Sequence, residues 1–169
     1  MSITTHLKPY NREEALRYAH TWSYGRNPKY LDFSLLGGDC TNFISQCLYA
    51  GCSHMNFTPT YGWYYLSSSN RTASWTGVNF LHKFLTQNKG AGPFGQEVPI
   101  HKVTLGDLIQ LADAQGTFYH SLIIVALLGP PSPSNLLIAT HTLDSNYRPL
   151  ETYNYFTARF IHIEGCRTS

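Results

Sequence analysis

The hydrophobic periodicity changes at Ala91, and that change most restricts the folds open to this chain. Before it, apolar residues recur at helical spacing. After it, Gly and Pro separate short runs rich in β-branched residues. Ala15, Tyr18, Ala19 and Trp22 follow a capping-box-like Asn11-Arg-Glu-Glu and predict a helix over residues 12–24, stopped by Gly25 and Pro28. A second helix is expected from Cys40 to about Ala50, capped by Asp39 and ended by Gly51. A third is expected from Gly77 to Asn88, with Val78, Leu81, Phe84 and Leu85 on one face. Between them, residues 53–75 read as a long loop rich in Tyr, Ser and Asn. The later runs Asp107–Leu111, Phe118–Leu128, Asn135–Thr142 and Thr157–Ile163 read as strands, with GPPSPSN joining two of them. Helices first and strands second describe one α+β domain over residues 1–169, with helices packed on an antiparallel sheet.

The 169 residues suffice for one real core, and 43% hydrophobic content excludes a disordered chain. A net charge of +2 without a Lys/Arg-rich run gives no basis for nucleic-acid binding. The longest apolar run, Leu122 to Leu128, is far short of the roughly 18 residues that a membrane span needs. The N-terminal MSITTHLKPYNREEA has no apolar core of a signal peptide, so the expectation is a cytoplasmic protein or an extracytoplasmic module of a longer precursor. No C-x-x-C pair exists among the four cysteines, so no structural zinc site is expected, and no cofactor.

Chemistry concentrates in GGDCTNFISQC, residues 37–47. With Asp39 as cap, Cys40 takes the first helical position, beside unpaired backbone N–H groups and the positive end of the helix dipole. Both favour a thiolate, and the Cys40 N–H could hold an oxyanion. The competing reading is a small buried hydrophobe. Cys47 lies two turns on, on the core-facing stripe, about 10 Å away at 1.5 Å per residue, too far for a bridge of ~4.4–6.8 Å to Cys40. Cys47 and Cys52 read as packing residues, or as bridged to each other or to Cys166.

A cysteine nucleophile needs a base, and the base an orienting group. His120 in TFYHSLIIVALL and His141 in NLLIATHTLD fall on successive predicted strands, where unpaired imidazoles are costly. A Cys–His–His arrangement accounts for both, although two satisfied core histidines would do so too. Asn42 and Gln46 either line the cleft or brace the 53–75 loop. Trp63, Trp75 and the neighbouring tyrosines either meet substrate or cover the core edge.

GGDCTNFISQCLYAG resembles the hallmark of a bacterial family described as the Putative amidase domain. That family is similar in turn to the papain-like fold of NlpC-type cell-wall peptidases and CHAP amidases. Supporting blocks are YNREEALRYA, NPKY–DF, Ser74-Trp75, LGDLIQL, HSLIIV, and ATHTLD followed by Tyr147 and Leu150. The resemblance implies a papain-like α+β fold and an amide hydrolase that works through a thioester. Cys40 would be its nucleophile, His120 its base and His141 the orienting residue. The long step from His120 to His141 departs from compact relatives and makes Asp144 the reserve third member. A peptide-like or cell-wall substrate is implied. An acyltransferase on the same dyad, a non-catalytic binding module and a metal site on the same three residues are the alternatives. The oligomeric state is not encoded in any motif.

Overall fold

The computed structural model describes residues 4–169. The chain runs β1 (His6–Lys8), α1 (Arg12–Trp22), α2 (Cys40–Cys52), β2 (Tyr65–Ser67), β3 (Asn70–Arg71), α3 (Ala73–Thr76) and α4 (Val78–Gln87). It continues through β4 (Gly92–Val98), β5 (Leu108–Ala112), β6 (Phe118–Leu127), β7 (Leu136–Thr140), β8 (Ser145–Pro149) and β9 (Thr157–Thr168). The α+β expectation holds, with the helices on one face of a seven-stranded antiparallel sheet.

β9 is the hub. Its residues 160–161 pair with both β4 and β5, and residues 166–167 with both β4 and β1. β4 therefore takes one edge, and β1 and β5 share the other. From β5 the sheet continues through β6 and β7 to β8. The pleat divides the apolar residues by parity. Ile123, Val125, Ala139 and Ile161 point to the helices and meet Phe43, Ile44, Cys47 and Leu48 of α2. Leu122, Ile124, Ile109, Leu111 and Ile138 point to the opposite face, with Val103 and Leu150.

Helix α1 starts as its sequence predicts, with the Asn11 side chain accepting from the Glu14 N–H at 3.1 Å, and it ends at Trp22. Helix α2 passes the predicted Gly51 stop and ends at Cys52, with Ser53 in the left-handed region at φ 61°. Gly51 has a packing role instead: a Cβ there would lie 2.4 Å from the Tyr10 ring. The 53–75 segment holds a small β2–β3 hairpin and the one-turn helix α3, where a loop is expected. β1, β4 and β8 carry no hydrophobic alternation in GPFGQEV or SNYRP, and they appear only as partners of stronger strands.

One polar cluster ties the halves together. Asp107, fully buried, accepts from Arg12 at 2.7 Å, the Thr104 and Ile163 N–H groups at 2.9 and 3.0 Å, and His162 at 2.8 Å. This fixes the Gly106-Asp107 turn, α1 and the last strand to one another. His162 faces this carboxylate from β9.

Candidate functional site

Gly37 and Gly38 sit at φ 99° and 108°, a conformation that side chains with a Cβ resist, and they turn the chain into α2. Cys40 is the first residue of that helix and is 7% exposed. Its sulfur lies 3.8 Å from the Thr41 hydroxyl, with the Ser121 and Thr41 backbone N–H groups near enough to favour its ionised form. Thr41 in turn bonds the Ser121 hydroxyl at 2.9 Å, fixing the helix start to the strand. His120 immediately precedes Ser121, so the start of α2 meets β6 one residue beyond the candidate base.

His120 is 7% exposed, and neither ring nitrogen has a hydrogen-bond partner among the described residues. Its ring packs near Tyr153, with centroids 5.7 Å apart. The Arg148 guanidinium lies over the Tyr153 ring, 3.7 Å from its centroid. Burial foremost, and then the Arg148 charge, push the His120 imidazole down to about 4. The Tyr153 hydroxyl is buried and makes no hydrogen bond. Ser121, Arg148 and Tyr153 carry no motif, and the sequence does not single them out.

The expected thiolate is not the form that this pocket favours. Burial raises the Cys40 thiol, outweighing the Ser121 and Thr41 hydrogen bonds that act the other way. The helix start supplies oriented N–H groups, but a sulfur this shielded from water holds its proton. The resting pair is neutral thiol and neutral imidazole.

Two further expectations are corrected. Asp39 makes no side-chain cap on α2. Its carboxylate accepts instead from the Phe33 N–H at 2.8 Å, Asn42 Nδ2 at 2.9 Å and His141 Nδ1 at 2.5 Å, with Arg26 Nε at 3.5 Å. A charge-assisted bond to an imidazole outcompetes a neutral capping bond at a buried carboxylate. His141, expected to orient His120, has its other nitrogen 2.8 Å from the Trp22 carbonyl and its ring stacked on Phe43 at 4.1 Å. Both ring nitrogens face oxygen atoms, so neither is left for His120. His141 locks Asp39, the residue before Cys40. The following turn holds Thr142 and Leu143 at φ 67° and 54°, and Thr142 Oγ1 accepts from the Asp39 N–H at 3.4 Å. Asp144, the reserve third member, is clasped by both guanidinium nitrogens of Arg26 at 2.9 and 3.0 Å.

Asn42 and Gln46 brace rather than line a cleft. Asn42 accepts from Trp75 Nε1 at 3.0 Å and donates to the Leu31 carbonyl at 3.0 Å, and the Tyr18 hydroxyl donates to Gln46. Trp63 and Trp75 are fully buried, 4.6 Å apart, so they are core and not substrate contacts. All four cysteines are free and buried. Among the described residues no group of three or more His, Cys, Asp or Glu is placed to hold a metal ion, and no helix is long and apolar enough to cross a membrane.

The family model described as "Putative amidase domain" matches residues 9–163, nearly the whole chain. The "Uncharacterized protein YhbB" of Bacillus subtilis (strain 168) is 33% identical over 141 residues. These are 82% of this chain and 43% of that protein, so the chain spans less than half the length of the relative. No solved structure matches.

Proposed function

As this chain belongs to the Putative amidase domain family, we propose that it hydrolyses amide bonds with Cys40 as nucleophile and His120 as its base, on a papain-like arrangement of helix and sheet. One observation carries the reading: Cys40, at the first residue of α2, is tied through Thr41 to Ser121 of β6, and His120, the preceding residue of that strand, has a buried ring whose nitrogens are unengaged. A neutral thiol and a neutral imidazole favour general-base catalysis over a preformed ion pair. His120 takes the Sγ proton as sulfur attacks the amide carbonyl carbon. The resulting oxyanion is received by the Cys40 N–H and by the Tyr153 hydroxyl. Collapse breaks the C–N bond, His120 passes its proton to the departing amine, and a thioester remains on Cys40. Water activated by His120 then releases the acid and restores the thiol. His141 acts at a distance, holding Asp39 and hence the aim of α2. Peptide-like amides, including the cross-bridged stem peptides of cell walls, are the substrate class.

The experiment is turnover of peptide amides and soluble peptidoglycan fragments by the wild type and by His120→Gln. Turnover by the wild type and its loss in the variant is the expected pair of results. Undiminished turnover in the variant would remove His120 from the mechanism.

The shift on His120 sets the pH dependence. A histidine held near 4 stays neutral at pH values where an ordinary one, near ~6.5, is protonated. The acid limb of kcat/KM should therefore fall toward pH 4. In the same window the unfolded chain binds the proton that the native chain refuses. Stability from this group is full above pH ~6.5 and is lost as pH falls toward 4. Denaturation midpoints between pH 4 and 7 should show a steeper acid loss in the wild type than in His120→Gln. An acid limb near 6.5 would contradict the neutral, desolvated base.

Tyr153→Phe tests the oxyanion donor. The hydroxyl makes no bond in the resting structure, so its removal should leave the thermal midpoint unchanged or slightly higher. We expect kcat to fall about tenfold to a hundredfold with KM little changed. Unaltered kcat would exclude Tyr153 from the oxyanion site.

A further inference from the structure

A cavity of about 540 Å³ lies on the helix side of the molecule and shares no residue with the Cys40 site. One wall is α4, where the exposed Phe80, Lys83 and Gln87 flank the buried Phe84. The other is the turn that carries Tyr61. Tyr61 and Phe80 are 78% and 59% exposed, two aromatic surfaces left in water at the mouth of the same cavity. Lys83 and Lys89 line it, and no carboxylate does.

The walls are built before any ligand arrives. Asn56 donates to Asn88 Oδ1 at 3.3 Å and to the Ala91 carbonyl at 3.0 Å. Asn88 donates to the Ala91 and Pro93 carbonyls, both at 2.9 Å, and accepts from the Gly90 N–H. The floor is therefore a closed amide network, fixed in position. The turn is held with equal firmness: Thr60 sits at φ 65°, an unfavourable place for a β-branched residue, and Gly62 is so tightly packed that a Cβ would lie 2.3 Å from the Asn56 carbonyl. Backbone strain of this kind persists where the surroundings enforce it, and here it projects Tyr61 over the cavity. A preformed, mostly apolar concavity of several hundred Å³ with a few charged groups is the usual form of a small-ligand site.

We propose that this cavity binds an organic carboxylate with an apolar or ring-shaped face, of dipeptide or sugar-acid size. The aromatic surfaces of Tyr61 and Phe80 take the face, and Lys83 and Lys89 take the charge. The peptide and the sugar acid share this chemistry, so both are probes.

The test is titration of the 15N-labelled full chain, followed by amide chemical shifts. One arm compares N-acetyl-Phe-Ala as the free acid with its C-terminal amide. The other compares glucuronate with glucose. Saturable shifts confined to residues 56–62 and 80–90 are expected for at least one acid, with its neutral twin about fivefold or more weaker. The tighter acid identifies the source. The double variant Lys83→Gln, Lys89→Gln, at exposed positions that leave the spectrum dispersed, should lose that preference and its dependence on salt. No saturable shift for either acid, or equal binding of acid and neutral twin, would overturn the proposal.

Discussion

Cys40→Ala should abolish amide turnover, by at least about a thousandfold, while leaving the fold in place. The two halves of that result have separate origins. The sulfur is the group to which the acyl carbon would bond, so nothing else near the helix start can substitute for it. Structurally the side chain is small, and its hydrogen-bond partner is the Thr41 hydroxyl at 3.8 Å, which retains Ser121 as a partner. The stability cost of truncation should be about 1 kcal/mol, the range for losing a small buried group and one weak hydrogen bond. Chemical denaturation of the variant, run beside the activity assay, checks both. Turnover within tenfold of wild type would transfer the chemistry to another residue. A collapse of stability would instead make Cys40 a structural cysteine.

His141→Ala should do the opposite, and more forcefully to the fold. His141 and Asp39 are each 1% exposed and joined at 2.5 Å, with Arg26 Nε 3.5 Å from the same carboxylate oxygen. Truncating the imidazole leaves a buried carboxylate short of its nearest partner, the Trp22 carbonyl without its contact, and a void against Phe43. Breaking one partner of a buried pair costs about 3–5 kcal/mol, which for a chain of this size is a drop in Tm of roughly ten degrees or more. His120→Ala, whose ring makes no hydrogen bond, should cost far less stability and most of the activity. The contrast separates the two histidines. If His141→Ala kept wild-type stability and lost kcat alone, the orienting role implied by the family resemblance would be restored.

The helices on α1, α2 and α4 were legible because their apolar spacing is set by local geometry, and the strong strands β5, β6 and β7 because Val, Ile and Leu fill both of their buried faces. The edge segments were not. GPFGQEV becomes β4 only because β9 offers it seven partners, an arrangement that no local pattern encodes. At the site, the placement of Cys40 at a helix start was readable from GGDC, and so was the position of His120 on a strand. The destination of each polar side chain was not. Asp39 reads as a cap from its neighbours in sequence, yet its partners Phe33, His141 and Arg26 come from a loop, the end of β7 and the segment after α1. For the same reason Trp63 and Trp75 read equally as a substrate surface or as cover for the core edge: exposure is a tertiary property, and these two rings pack together in the core. The direction of the Cys40 shift was missed because burial, invisible in sequence, opposes the helix-start effect.

The central claim is a thioester on Cys40 formed with the help of His120. Its most direct measurement is acyl-enzyme trapping: the protein is mixed with an activated peptide ester, quenched in acid within milliseconds to seconds, and mapped by peptide mass spectrometry. The account predicts a single acyl group on Cys40, formed rapidly by the wild type and His141→Asn, at least about a hundredfold more slowly by His120→Gln, and not at all by Cys40→Ala. Acylation of Cys47, Cys52 or Cys166 in place of Cys40, or steady turnover of the ester with Cys40 unmodified and dispensable, would contradict it.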